Sequence, residues 1–253
     1  MSLPTELYRD IVDQVKDEDI LPLLGVCSAF RIEAQRRVYG SITLKKHNRT
    51  RFDRVASRWI ESLQVIAKFV RYLDLEAMDE SDKALTQHLP IAYGELINLK
   101  WLNIPAIETG VSVPPISVPF RLLSFRSQIL SSTSTLLKEK LIPFLDAQPS
   151  IRELNLFCDH SQPVSPNLLP NLSTLSAATP FAFQLLPGRS VTHLFLYVSP
   201  RGALSSTTPE DVTTLRSLSL DKYNSLRTYE FCFPTLEFLE LNVVSHSCSI
   251  LLA

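Results

Sequence analysis

The sequence predicts a mixed α/β chain: a unit of three short helices at the N-terminus, then a long array of short strands stacked into one curved parallel sheet. Three observations predict it. Apolar residues recur at helical spacing through the first 43 residues, and a six-residue apolar pattern centred on Leu recurs from residue 70 onward. The stretches between those recurrences carry helix signals. The organisation that follows is 1–43 as a helical unit, 44–69 as a linking helix and 70–253 as the strand array.

Pro4 suits a first helical turn, where its missing N–H is no loss, and Glu6 sits where the helix dipole favours a negative charge. Leu7, Ile11 and Val15 then recur at spacing four, which predicts a helix over about 4–15. Asp17, Glu18 and Asp19 supply a cap for a second helix, "DILPLLGVC", with Pro22 inside its first turn. Ser28 is placed to cap a third, "AFRIEAQRRVY", with Phe30, Ala34 and Val38 on one face and Gly40 as its stop. Three such helices bury too little to stand alone, and Leu3, Pro4, Leu21, Val26, Cys27 and Phe30 exceed what they can cover for one another. A protein surface is therefore expected against them, either the rest of this chain or a partner.

The pattern LPxELxxxIxxxVxDxxxLxxLxVCxxF, running from Leu3 to Phe30 and followed by "RIEAQRRVY", resembles an F-box. The resemblance implies docking on a Skp-type adaptor and, through it, on a cullin ubiquitin ligase. The residues it assigns to adaptor binding are Leu3, Pro4, Leu7, Leu21, Leu24, Val26, Cys27 and Phe30. Many members of that family carry Trp where this chain has Phe30.

Between residues 44 and 72 eight basic residues face two acidic ones, a local excess of +6. Phe52, Val55, Trp59, Leu63 and Ile66 keep helical spacing there, so the expectation is a connecting helix with a buried apolar face and a solvated basic one.

The recurring pattern is apolar-x-x-Leu-x-apolar: "VRYLDL", "LKWLNI", "FRLLSF", "IRELNL", "LSTLSA", "VTHLFL", "LRSLSL" and "LEFLEL". Chance supplies many such windows at this composition. The central leucines, however, are Leu73, Leu102, Leu123, Leu154, Leu175, Leu194, Leu218 and Leu239, at steps of 29, 21, 31, 21, 19, 24 and 21 residues, often with Pro or Asn just upstream. Those steps mostly fall in the range of about 20–29 residues of leucine-rich repeats, one strand and one helix or loop per turn of a solenoid. The intervening helices are "DKALTQHLPIAYGEL", "STLLKEKLIPFLDA" and "TPEDVTTL". The array resembles the irregular leucine-rich repeats of fungal F-box proteins and lacks the Asn ladder of the strict consensus. Strand alternation puts Tyr72, Trp101, Asn103, Glu153, Asn155, Phe157, His193, Phe195, Tyr197, Phe238 and Glu240 on the open inner face. Exposed aromatics there call for a partner, which makes Trp101, Asn103, Phe157, His193, Phe195, Tyr197 and Phe238 the candidate substrate-binding residues.

Composition excludes several other classes. With 253 residues, 45% apolar, 20% charged and a net charge of −1, the chain lacks the basic excess that nucleic acid or an anionic membrane would select. No apolar run is long enough to span a membrane, and Glu6 and Asp10 stand where a signal peptide would be basic or apolar, so a cytoplasmic or nuclear location is expected. Cys27, Cys158, Cys232 and Cys248 show no metal-ligand spacing and no disulfide framework. Six Gly against 17 Pro, without GxGxxG or GxxxxGK[ST], removes the common nucleotide loops, and no cofactor is expected. "FCDHS" brings Cys158, Asp159 and His160 together, but adjacent residues point apart and no nucleophile elbow accompanies them, so catalysis is not expected. The apolar ending "SHSCSILLA" lacks a polar capping unit, so either the array is truncated or a partner is expected over that end.

The expected role is substrate recognition in a ubiquitin ligase, with the helices on the adaptor and the repeats on a protein substrate. The alternative is a leucine-rich interaction scaffold whose helices only cap the first repeat.

Overall fold

The computed structural model describes residues 4–43, 66–75, 83–104, 107, 112–129, 134–158, 164–197, 215–221, 238–243 and 246–251; residues 5, 83–87, 134, 217–221, 238–243 and 246–251 are described by backbone alone. Within these the chain is mixed α/β. Helix α1 (Thr5–Gln14) is followed by a 3₁₀ turn (Asp17–Asp19), a one-turn helix α2 (Ile20–Leu23) and helix α3 (Ser28–Tyr39). The second helix is shorter than "DILPLLGVC" suggests, because three acidic residues and Pro22 leave its start in a tighter turn. Ser28 is the first helical residue rather than the cap; Cys27 precedes it in extended conformation, and no side chain caps the helix.

Val12, Ile20 and Ala34 form the buried centre of this unit. Polar clasps tie it together. Buried Glu33 accepts from Arg36 Nε at 2.6 Å and from Arg9 Nε at 3.3 Å, while Arg36 Nη2 reaches Asp13 at 2.8 Å. Arg37 donates to the carbonyls of Val12 and Val15 and to Asp17, closing the end of α1 onto α3. Burial works against the Arg36 charge, but Glu33 and Asp13 outweigh it and hold its pKa above the usual guanidinium value.

The rest of the described chain is one ten-stranded sheet whose spatial order is the sequence order. Its strands are β1 (Ser41–Thr43), β2 (Tyr72–Asp74), β3 (Trp101–Asn103), β4 (Ser124–Gln128), β5 (Glu153–Phe157), β6 (Thr174–Ala178), β7 (His193–Tyr197), β8 (Ser217–Asp221), β9 (Phe238–Val243) and β10 (His246–Leu251). Consecutive strands from β1 to β9 pair in parallel, and β10 folds back antiparallel on β9. Helices connect several of them, including Lys83–Glu95, the run Ser134–Leu136, Leu137–Leu141 and Ile142–Asp146 with a π-turn in its middle, and Thr179–Leu185. "TPEDVTTL" and residues 44–65 of the linking segment lie outside the described residues.

One register runs across the sheet. Ile42, Leu73, Leu102, Phe125, Leu154, Leu175, Leu194, Leu218 and Leu239 are consecutive partners. Two positions upstream of this row a carbonyl serves two amides of the next strand. Gly40 O takes Arg71 and Tyr72 N–H, Arg71 O takes Lys100 and Trp101, Lys100 O takes Leu123 and Ser124, and Leu123 O takes Arg152 and Glu153. Arg152 and Ser173 continue the series.

This corrects the sequence register at one place. Leu123 stands at the double-acceptor position, and Phe125 fills the central row, buried at 0% exposure with its ring 5.5 Å from that of Phe144. "FRLLSF" misleads because Leu occurs two residues too early. The steps around it become 23 and 29. The strand Ser41–Thr43 is a further rung that the sequence pattern, begun at residue 70, does not contain.

Gly40 is not a left-handed helix stop: its φ is −62°. A Cβ there would stand 2.6 Å from Arg36 O, so glycine is required by close approach. The sheet rests on one continuous apolar core reaching from Ile66 to Leu215. Between turns, Asn98 Nδ2 donates to Lys68 O at 2.6 Å and Asn171 Nδ2 to Pro149 O at 3.0 Å, each from four residues before its central-row residue. Fully buried Gln148 bridges its own turn to the previous one, its Oε1 accepting from Leu122 N and its Nε2 donating to Phe120 O. Arg189, also buried, donates to five carbonyls from Ser165, Pro166, Leu168, Leu185 and Pro187; burial lowers its pKa.

Candidate functional site

Two surfaces gather the residues singled out by sequence. The first is on the helical unit. Leu7 is 44% exposed, Ile11 41%, Leu21 62% and Val26 61%. Pro4 and Cys27 are exposed beside them, while Leu24 and Phe30 are half-buried, the Phe30 ring standing edge-on to Tyr8 at 4.9 Å. Leu3 lies outside the described residues. Among the described residues nothing covers this row, although Val12 on the other side of α1 is fully buried. Helical spacing explains the split: α1 carries two apolar stripes, and packing on α3 uses only one. Ile32, 51% exposed on α3, extends the apolar character and was not among the sequence candidates because its neighbours Arg31 and Glu33 break the pattern.

The second is the sheet face opposite the core. On β5 and β7 alternation is regular, with Leu154, Leu156, Leu194 and Leu196 turned in and their neighbours turned out. A groove of about 390 Å³ lies on it, lined by Asn103, Ile104, Arg126, Ser127, Gln128, Asn155, Phe157 and Tyr197. Asn103, Phe157 and Tyr197 are thus brought together as candidates. Trp101 and His193 belong to the row that begins each strand and do not line the groove; both are exposed, and His193 Nδ1 lies 2.9 Å from Thr192 Oγ1. Phe195 is half-buried, and Phe238 lies in register with Ser217, its side chain outside the described residues.

The aromatics do not stand free. The rings of Phe157 and Tyr197 meet edge to face at 5.5 Å across the intervening strand β6. Ser176 and Ala178 on β6 are small enough to leave that space, and Ser176 Oγ donates to the Tyr197 hydroxyl at 3.0 Å. At the other end, Asn103 Nδ2 donates to Asp74 Oδ1 at 2.9 Å and is itself buried, the reverse of the exposure expected for it. Arg126 and Gln128, both exposed, are groove residues that the sequence reading missed. Both lie past the six-residue window "FRLLSF": with Phe125 in the central row, Arg126 takes the position of Asn155 and Gln128 that of Phe157.

Cys158 is buried at 2% exposure, and Asp159 and His160 lie outside the described residues. Among the described residues no group of three or more His, Cys, Asp or Glu is placed to hold a metal, and no helix is long and apolar enough to cross a membrane. No protein-family model matches the chain, and no curated protein is similar to it at a significant level.

Proposed function

We propose that the chain is an F-box protein with leucine-rich repeats that serves as the substrate-recognition subunit of a Skp-cullin ubiquitin ligase. Its helices dock the adaptor, its sheet face holds a protein substrate, and its partners perform the chemistry. The observation that carries this reading is the exposed apolar row Leu7, Ile11, Leu21 and Val26 on a unit whose own core is already closed. Apolar surface of that kind is costly to leave in water and points to a protein partner. The in-register parallel sheet, with one strand for each turn of chain, supports the repeat reading.

A second reading, a scaffold whose helices only cap the array, is favoured by one feature: α3 runs through Gly40 straight into the first rung of the sheet. Co-expression with a Skp-type adaptor followed by size-exclusion chromatography separates the two. Because Ser41–Thr43 pairs with β2, the comparison is made with Leu21→Asp and Val26→Asp combined, not with removal of residues 1–43. A one-to-one complex lost in that variant supports the ligase reading. A full-length protein that elutes alone refutes it.

A further inference from the structure

We infer that the margin of the sheet where its strands begin binds an extended acidic stretch of a protein substrate. This rests on reading the repeats as the substrate-holding part of the chain. The stretches that lead into β2–β7 are 66–71, 96–100, 118–123, 147–152, 168–173 and 187–192, and every residue in them is described. They hold Lys68, Arg71, Lys100, Arg121, Arg152 and Arg189 and no Asp or Glu. Arg71, Lys100 and Arg152 stand on one row, that of the carbonyls serving two amides of the next strand.

Half of these cations already hold the repeats together. Arg189 is buried on its five carbonyls, Lys100 Nζ donates to Arg121 O at 3.4 Å, and Arg121 Nη1 donates to Ala147 O at 2.8 Å. Lys68 Nζ stands 5.1 Å from the centre of the Phe69 ring. Arg71 and Arg152 are exposed, and among the described residues none accepts from their guanidinium groups. Three strands separate them, about 14 Å, which is the span of four residues of extended chain. Side chains of such a chain alternate, so carboxylates at its first, third and fifth positions share a face. The outer two fall over Arg71 and Arg152, and the middle one falls beside Lys100. Trp101, 38% exposed at the start of β3, offers an apolar rest next to Lys100.

The acids bordering the margin favour a peptide over a nucleic acid. Glu153 follows Arg152 directly, and Glu95 and Asp146, both exposed, end the helices that precede β3 and β5. A sugar-phosphate chain carries charge on every unit and would meet these carboxylates, and a net charge of −1 supplies no long-range field to hold it. A peptide places its charges only where the cations stand.

The test is fluorescence anisotropy on the full chain, at about 50 mM salt to limit screening, with acetylated, amidated decapeptides of Gly and Ser. One holds three Glu at alternate positions and one Phe between two of them, its counterpart holds three Gln, and a ten-residue thymidine oligonucleotide is the third probe. The Glu peptide is expected to bind about fivefold or more tighter than the Gln peptide. Arg71→Gln combined with Arg152→Gln abolishes that preference and the corresponding double change to Lys retains it. Lys16→Gln combined with Lys138→Gln, which removes the same charge from exposed sites elsewhere, leaves it intact. Equal binding of the two peptides, no binding of the Glu peptide, a preference that survives the Arg71 and Arg152 change to Gln, equal loss in the Lys16 and Lys138 pair, or tighter binding of the oligonucleotide would each overturn the inference. Adaptor binding measured on the same preparation keeps the two ideas apart. An adaptor complex without Glu preference overturns only this inference, and Glu preference without an adaptor complex overturns only the ligase reading.

Discussion

The carbonyl oxygen of Gly40 accepts the amide proton of Tyr72 at 3.0 Å, so the residue that caps α3 is already bonded to the second strand of the sheet. The helical unit and the strand array are therefore joined without a spacer. Any side chain at residue 40 must push Arg36 O, 2.6 Å away, and with it the clasp on Glu33. Gly40→Val is expected to destabilise the protein by about 1–3 kcal/mol, read from the urea midpoint.

The register of the fourth strand makes a direct prediction. Phe125→Ala empties a fully buried site against Phe144 and should cost about 3–5 kcal/mol, whereas Leu123→Ala, at a half-buried site beside the sheet, should cost about 1 kcal/mol or less. Thermal or urea unfolding of the two variants decides it; the reverse order would restore Leu123 to the central row.

Gln148 is buried completely and holds two successive turns through Leu122 N–H and the Phe120 carbonyl. Gln148→Leu keeps the volume but strands both backbone groups in the core. A loss of about 2–4 kcal/mol is expected from urea unfolding.

On the exposed row, Leu21→Asp and Val26→Asp should leave the unfolding midpoint almost unchanged, within about 0.5 kcal/mol each, because both side chains already face water. A much larger loss would mean that these residues are packed in solution and would remove the docking surface.

Much of this arrangement is legible in sequence, and the failures have physical causes. Period-four spacing of Leu7, Ile11 and Val15 marks α1, and the alternation in "IRELNLF" and "VTHLFLY" marks β5 and β7. The short α2 is not legible, since acidic residues that cap a helix also favour a tight turn. Nor is the fourth strand, where two adjacent leucines offer two registers and only packing against Phe144 chooses Phe125. Arg126 and Gln128, which line the groove, lie past the six-residue window on which that strand was read. The Phe157–Tyr197 contact was equally out of reach, because it depends on small residues at 176 and 178 on the strand between them.

The most direct test of the central claim is hydrogen–deuterium exchange of the full chain with and without a purified Skp-type adaptor. The account predicts new protection confined to residues 4–34, centred on α1 and the stretch from Leu21 to Val26, with the sheet strands unchanged. Protection on the strands instead, or none anywhere at saturating adaptor, would contradict it.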